Sequence, residues 1–208
     1  MSNRIFHCSL YLLTWNLHHA IAYDEYLASK FHESRFVPDV IPEPPEELLN
    51  VTFSNHGYLY PGEKLFETET SEQPNVTWNA DPNSLYALYM AGITNWTMII
   101  RPQVNPAEPN ITHRICHEFH QWVTINIPGN NYSGGMELYP YIAVTPPPKP
   151  YVSDRYAILI YKQPGVLNPP LPKWTEWYFF QEFSPTVKFV KDYNLTGPVA
   201  GNMFWTTD

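Results

Sequence analysis

The chain has 208 residues, 44% hydrophobic and 16% aromatic, a globular composition with enough length for one domain around a substantial core. Its formal net charge is −8 and no cluster of Lys or Arg stands out, which excludes a nucleic-acid phosphate backbone as partner, disfavours an anionic membrane surface and leaves room for a basic protein partner. The two cysteines, Cys8 and Cys116, are too few for a disulfide framework and match no zinc spacing; Cys116 is expected as a free thiol at a strand start.

The chain opens with Arg4 ahead of a mainly apolar run, Ile5 to Trp15, followed by Ala20-Ile21-Ala22, an A-x-A cleavage pattern. The run is too short to span a bilayer, so no transmembrane segment is expected. Residues 1–22 are read as a signal peptide or a disordered extension, and residues 23–208 as a single domain. Six Asn-x-Ser/Thr triplets, at Asn50, Asn75, Asn95, Asn110, Asn131 and Asn194, exceed the roughly two expected by chance and mark N-glycosylation candidates in an exported chain. Secretion is therefore favoured over a cytoplasmic location, although Asn50 and Asn75 open apparent strands, where a glycan fits less easily.

The 22 prolines sit mostly between apolar runs, the pattern of short strands joined by rigid loops. Tyr23 to Ser34 has few breakers and reads as a helix. Glu43 to Glu47, EPPEE, reads as a solvated loop. Leu48 to Phe53 and Asn75 to Trp78 are rich in β-branched and aromatic residues and read as strands, with a turn at Asp81-Pro82-Asn83. Leu85 to Met90 is a continuous apolar run, which predicts a strand buried on both faces. Along a strand from His117 to Ile127, alternation puts Phe119, Gln121, Val123 and Ile125 on one face and His120, Trp122 and Thr124 on the other. Arg155 to Gln163 is a further buried strand. Trp174 to Phe180, WTEWYFF, is expected in the core, and a helix over Thr186 to Tyr193 follows Ser184-Pro185.

The sequence carries no nucleophile elbow, phosphate-binding loop or dinucleotide fingerprint. His113, His117 and His120 cluster in sequence, but His117 and His120 face opposite sides of a strand and cannot share one metal ion without a bulge. No catalytic residue, metal or cofactor is assigned, and the chain is not expected to be an enzyme.

Val104 to Asn130, VNPAEPNITHRICHEFHQWVTINIPGN, resembles the signature region of the phosphatidylethanolamine-binding proteins, the family that includes Raf kinase inhibitor protein. The frame persists as Asn105-Pro106-Ala107-Glu108-Pro109 and Glu118-Phe119-His120-Gln121-Trp122. QPNVTWNADPNSLYALYM before it, Thr145-Pro146-Pro147, the Tyr-Lys-Gln-Pro closing the Arg155 strand, and Pro198 to Asn202 add to the likeness, which runs from Val37 to Trp205. The resemblance implies a mainly β fold, a large central sheet packed against a smaller one with short peripheral helices. It implies a non-catalytic binding or regulatory protein acting as a monomer, with a small-molecule or phospholipid-headgroup ligand or a protein partner. Alternatives are a secreted small-ligand or lipid carrier and an inhibitor of serine proteases or kinases. Relative to the family, Ala91 to Gln103 reads as an insert, a surface excursion or a lid, in which Thr97 to Ile100 could extend the preceding strand. The C-terminus reads as shortened, lacking the helix that borders the family's pocket.

The family's anion pocket maps onto Asn105, Pro106, Ala107, Pro109, Gln121, Pro146, Pro147, Asp154 and Tyr156. Asn105 and Ala107 stand where the resemblance places aspartates, and Gln121 and Asp154 where it places histidines. A phosphate site needs donors, and Gln121 donates but carries no charge. An ionised Asp154 about 4 Å from an anion costs about 4 kcal/mol at an effective dielectric of ~20, roughly a thousandfold in affinity. Arg155 is expected to face away from Asp154. The lining is thus read as degenerate for anions.

Overall fold

The computed structural model describes residues 25–100, 111–144, 154–168 and 185–207, with backbone alone at 94–100, 111–117, 119, 185 and 207. The expected mainly β architecture is what it shows. Three α-helices are described, α1 (25–33), α2 (Phe36–Asp39) and α3 (Pro185–Asp192), with 3₁₀ turns at Glu67–Thr70 and Tyr132–Gly134. The strands in chain order are β1 (Glu47–Leu48), β2 (Asn50–Phe53), β3 (Gly57–Tyr58), β4 (Glu63–Phe66), β5 (Asn75–Thr77), β6 (Leu85–Ile100), β7 (Ile111–Pro128), β8 (Met136–Tyr139), β9 (Arg155–Lys162) and β10 (Thr196–Thr207). Seven form a large mixed sheet in the order β1-β10-β9-β6-β7-β8, with β4 also on β10; β3-β2-β5 form a small antiparallel sheet.

The central strand β9 explains the layering. Its apolar run RYAILIYK is buried along nearly its whole length because both faces are covered. Ala157, Leu159 and Tyr161 join a core beneath the helices with Leu27, Phe31, Tyr89, Ala91 and Val123. Tyr156, Ile158 and Ile160 alternate to the other side and pack with Val51, Phe53, Val76 and Trp122 between the two sheets. Each such side chain contributes about 1.5–3 kcal/mol on burial. The predicted strand from Leu48 to Phe53 is divided at Leu49, so that β1 pairs with β10 and β2 enters the small sheet. Buried Asn202 ties that division together, its Nδ2 donating to the carbonyls of Leu49 and Leu59 at 3.1 Å each.

Two features of the β6–β7 pair depart from the sequence expectation. The first concerns Ala91 to Gln103. Ala91 and Ile93 are core residues, and β6 runs on to Ile100, paired with β7 to the Ile100–Ile111 pair. The pairing of β6 with β9 is described as far as Ile93, and among the described residues Thr94 to Ile100 and Ile111 to His117 continue as a two-stranded ribbon. The second is a bulge. Met90 lies opposite Trp122 and Ala91 opposite His120, leaving Gln121 as the extra residue on β7. The expected grouping of His120 with Trp122 is therefore corrected: His120 packs edge-on against Tyr89 on the helix side, at 5.2 Å between ring centres, whereas Trp122 belongs to the core between the sheets. A simple alternation fails here because the bulge resets the period by one residue.

Candidate functional site

Asp154, Tyr156 and Gln121 meet on the small-sheet side of β9, β6 and β7. Asp154 is 3% exposed, fixed at the start of β9 by its own carbonyl, which accepts from Thr206 N at 2.9 Å and Thr206 Oγ1 at 3.3 Å. The Tyr156 hydroxyl donates to Asp154 Oδ2 at 3.4 Å. Burial, then the negative charge of Asp154, holds that phenol far above its ordinary range. The Tyr156 ring stacks on Phe204 at 5.4 Å and crosses β6 at Gly92, its register partner. Only glycine permits that crossing: a Cβ at Gly92 would stand 2.6 Å from Tyr156 Cε1 and 3.5 Å from Gln121 Cγ. Gln121 is anchored by its carbonyl, which accepts from Ile142 N at 2.9 Å, while its buried Oε1 has no hydrogen-bond donor among the described residues.

The structure thus brings Tyr156 and Gln121 together across Gly92, a residue of the Ala91 to Gln103 segment, and Asp154 against the Tyr156 hydroxyl. A glycine inside an apolar strand was the available signal. Asn105, Pro106, Ala107, Pro109, Pro146 and Pro147 lie outside the described residues. Arg155 faces the helix side, as alternation required, with its Nη2 3.9 Å from Asp39 Oδ2. The three side chains are a carboxylate, a carboxamide with N–H donors and an oxygen that no described donor meets, and a phenol whose proton is directed at the carboxylate, with no cation among them.

A second polar cluster, unforeseen in the sequence, occupies the opposite face of the same strands. Glu118, 7% exposed, accepts from Thr186 N at 2.9 Å and from the Thr186 hydroxyl, so a β7 carboxylate holds the first turn of α3. Burial raises its pKa to about 7. His120 shares a hydrogen bond with the Tyr89 hydroxyl and stacks on Tyr139 at 5.3 Å. Burial lowers its pKa to about 4. Burial, then the charge of Glu118, raises the Tyr89 and Tyr161 phenols. Burial also pushes Tyr139 up to about 12. α3 seals the cluster with Phe189, whose ring lies 5.2 Å from that of Tyr89. Among the described residues no group of three His, Cys, Asp or Glu is placed to hold a metal ion, and no helix is long and apolar enough to cross a membrane.

This architecture is the phosphatidylethanolamine-binding-protein fold. The carboxypeptidase Y inhibitor, solved in complex with its cognate proteinase, matches it with a TM-score of 0.67 at 19% identity, over 91% of this chain and 98% of that one. A phosphatidylethanolamine-binding protein of Plasmodium falciparum matches with a TM-score of 0.54 at 15% identity, over 86% of this chain and 96% of that one. No protein-family model matches the chain. In sequence it is 33% identical over 177 residues to the 26 kDa secreted antigen of Toxocara canis, covering 84% of this chain and 62% of the antigen, so that it spans less than two thirds of that relative. It is 30% identical over 183 residues to the putative odorant-binding protein A5 of Drosophila melanogaster, covering 87% of this chain and 80% of that protein. The chain belongs to the family that includes this odorant-binding protein.

Proposed function

We propose that the protein is a non-catalytic binding or regulatory protein, exported from the cell, whose ligand-facing wall no longer suits a phosphate-like anion. The observation that carries this reading is the buried Asp154 carboxylate, bonded to Tyr156 and followed across Gly92 by Gln121 with its carboxamide oxygen unmet. Acceptors repel an anion and favour a neutral or cationic small molecule that brings its own N–H or O–H donors. The names of two relatives, an odorant-binding protein and a secreted antigen, support binding and export as the setting. Arg155, the nearest cation in sequence, points to the other face and does not reverse the sign of the wall.

Native mass spectrometry of the protein purified from secreting insect cells tests this reading. The expected spectra contain the polypeptide alone or with a phosphorus-free adduct. A retained phosphate- or phospholipid-containing molecule, lost on Asp154→Ala, would overturn it. The non-catalytic part has its own test: hydrolysis of simple esters above background, abolished by Asp154→Asn, would make the protein an enzyme.

A further inference from the structure

The small sheet carries a second arrangement, on the side of the molecule turned away from both cores. β2 contains Asn50-Val51-Thr52 and β5 contains Asn75-Val76-Thr77, two acceptor triplets of the same form. The strands are antiparallel and in a register that interlocks them: Asn50 faces Thr77, Val51 faces Val76 and Thr52 faces Asn75. Alternation does the rest. Val51 and Val76 are fully buried against the large sheet, while Asn50, Thr52, Asn75 and Thr77 are all exposed on the outer face. Tyr58 on β3 completes this face, its hydroxyl donating to Asn50 Oδ1 at 3.3 Å, the oxygen rather than the nitrogen of the carboxamide.

We infer that the outer face of the small sheet is a glycan-bearing face, with N-linked oligosaccharide on both Asn50 and Asn75. The inference rests on export, the setting proposed above, because the sugar donor belongs to the secretory pathway. In the transfer, the carboxamide nitrogen Nδ2 forms a bond to the anomeric carbon of a lipid-pyrophosphate-linked oligosaccharide. The bond from that carbon to the pyrophosphate oxygen breaks, the lipid pyrophosphate leaves with the electron pair, and the amide nitrogen gives up one proton. The Thr two residues on is part of the acceptor signal, and the folded sheet holds each Asn with its Thr on the same exposed side. Strand position is no obstacle at these two sites, since no described element covers the outer face. Diagonal neighbours on such a face stand about 7–8 Å apart, so two glycans there would shield the small sheet and leave partner binding to other surfaces.

The experiment is peptide mapping of the full chain secreted from insect cells, expressed once with its own N-terminus and once behind an exogenous secretion signal. The expected result is conversion of both Asn50 and Asn75 to Asp by an amidase that removes N-glycans, with Asn50→Gln and Asn75→Gln each losing one step in electrophoretic mobility. Thr52→Ala, which leaves Asn50 in place, should lose the same step as Asn50→Gln and covers the case in which that variant folds poorly. Retention of the chain with its own N-terminus, together with modification of the signal-led form at both sites, would uphold the glycan-bearing face and overturn the export reading. A signal-led protein secreted with Asn50 and Asn75 unmodified would overturn the inference.

Discussion

The two faces of the large sheet each hold a buried carboxylate, Glu118 on β7 and Asp154 at the start of β9, and they use it differently. On the helix side Glu118 meets two donors from Thr186 and fastens α3 to the sheet. On the small-sheet side Asp154 meets the Tyr156 hydroxyl at 3.4 Å, and the Tyr156 ring shares the space over Gly92 with Gln121, whose side-chain oxygen no described donor reaches. The Thr186 bonds join segments 68 residues apart and so fix α3 to the sheet, whereas the Tyr156 bond is local, two residues along the chain, and leaves a Gln121 oxygen that no described donor meets. The bulge at Gln121 is what separates the two environments, turning His120 to one side and Gln121 with Trp122 to the other.

The comparison predicts unequal costs. Glu118→Ala removes the acceptor for two buried Thr186 donors and opens a cavity, so denaturant unfolding should show a loss of about 3–4 kcal/mol. Asp154→Asn keeps the volume and an acceptor for Tyr156, and should change stability by about 1 kcal/mol or less. Equal losses in the two variants would erase the distinction between the faces.

The pH dependence of stability sharpens it next. Glu118 titrates near 7 when folded against 4.5 ordinarily, so its contribution is complete below about 4.5 and is lost as pH rises through 7. His120 titrates near 4 against 6.5, so its contribution is present above about 6.5 and is lost as pH falls through 4. Between about 4.5 and 6.5 the two slopes oppose, and melting temperature should stay nearly flat on their account. Glu118→Gln exposes the histidine slope alone: the variant should lose up to about 3 kcal/mol between pH 6.5 and 4 relative to wild type. Parallel pH profiles for variant and wild type would refute the compensation.

A smaller effect is expected at the crossing. Gly92→Ala puts a methyl group into the Tyr156 ring, and the ring must shift off β6, at about 1–3 kcal/mol in chemical denaturation. The same shift draws the phenol away from Asp154, which a Tyr156-specific ultraviolet titration would register as a lowered phenol pKa. An unchanged titration would mean that Gly92 does not set the geometry of this wall.

Much of this arrangement is legible in the sequence. The apolar runs at Leu85 and Arg155 announce strands buried on both faces; the family resemblance assigns Gln121 through the motif around Glu118 to Trp122, and Asp154 and Tyr156 through Asp154-Arg155-Tyr156. The bulge was not legible, because an extra residue on one strand shows itself only against its partner, β6. Nor was the Glu118 clamp, whose donor Thr186 lies 68 residues away. The strands β3 and β4 are two and four residues long, too short to carry a periodic signal. The ribbon could be read only in part, as an extension at Thr97 to Ile100, since pairing with β7 is what carries β6 past Met90.

The central claim, a wall that carries a carboxylate and no cation and so no longer suits a phosphate-like anion, is tested most directly by calorimetric titration with phosphoethanolamine and inorganic phosphate. Wild type is expected to give no binding heat, and the Gln121→His/Asp154→His double variant to gain affinity at a pH below the histidine range. Wild-type binding with a Kd on the order of micromolar or tighter, equivalent to about −8 kcal/mol, would contradict the account.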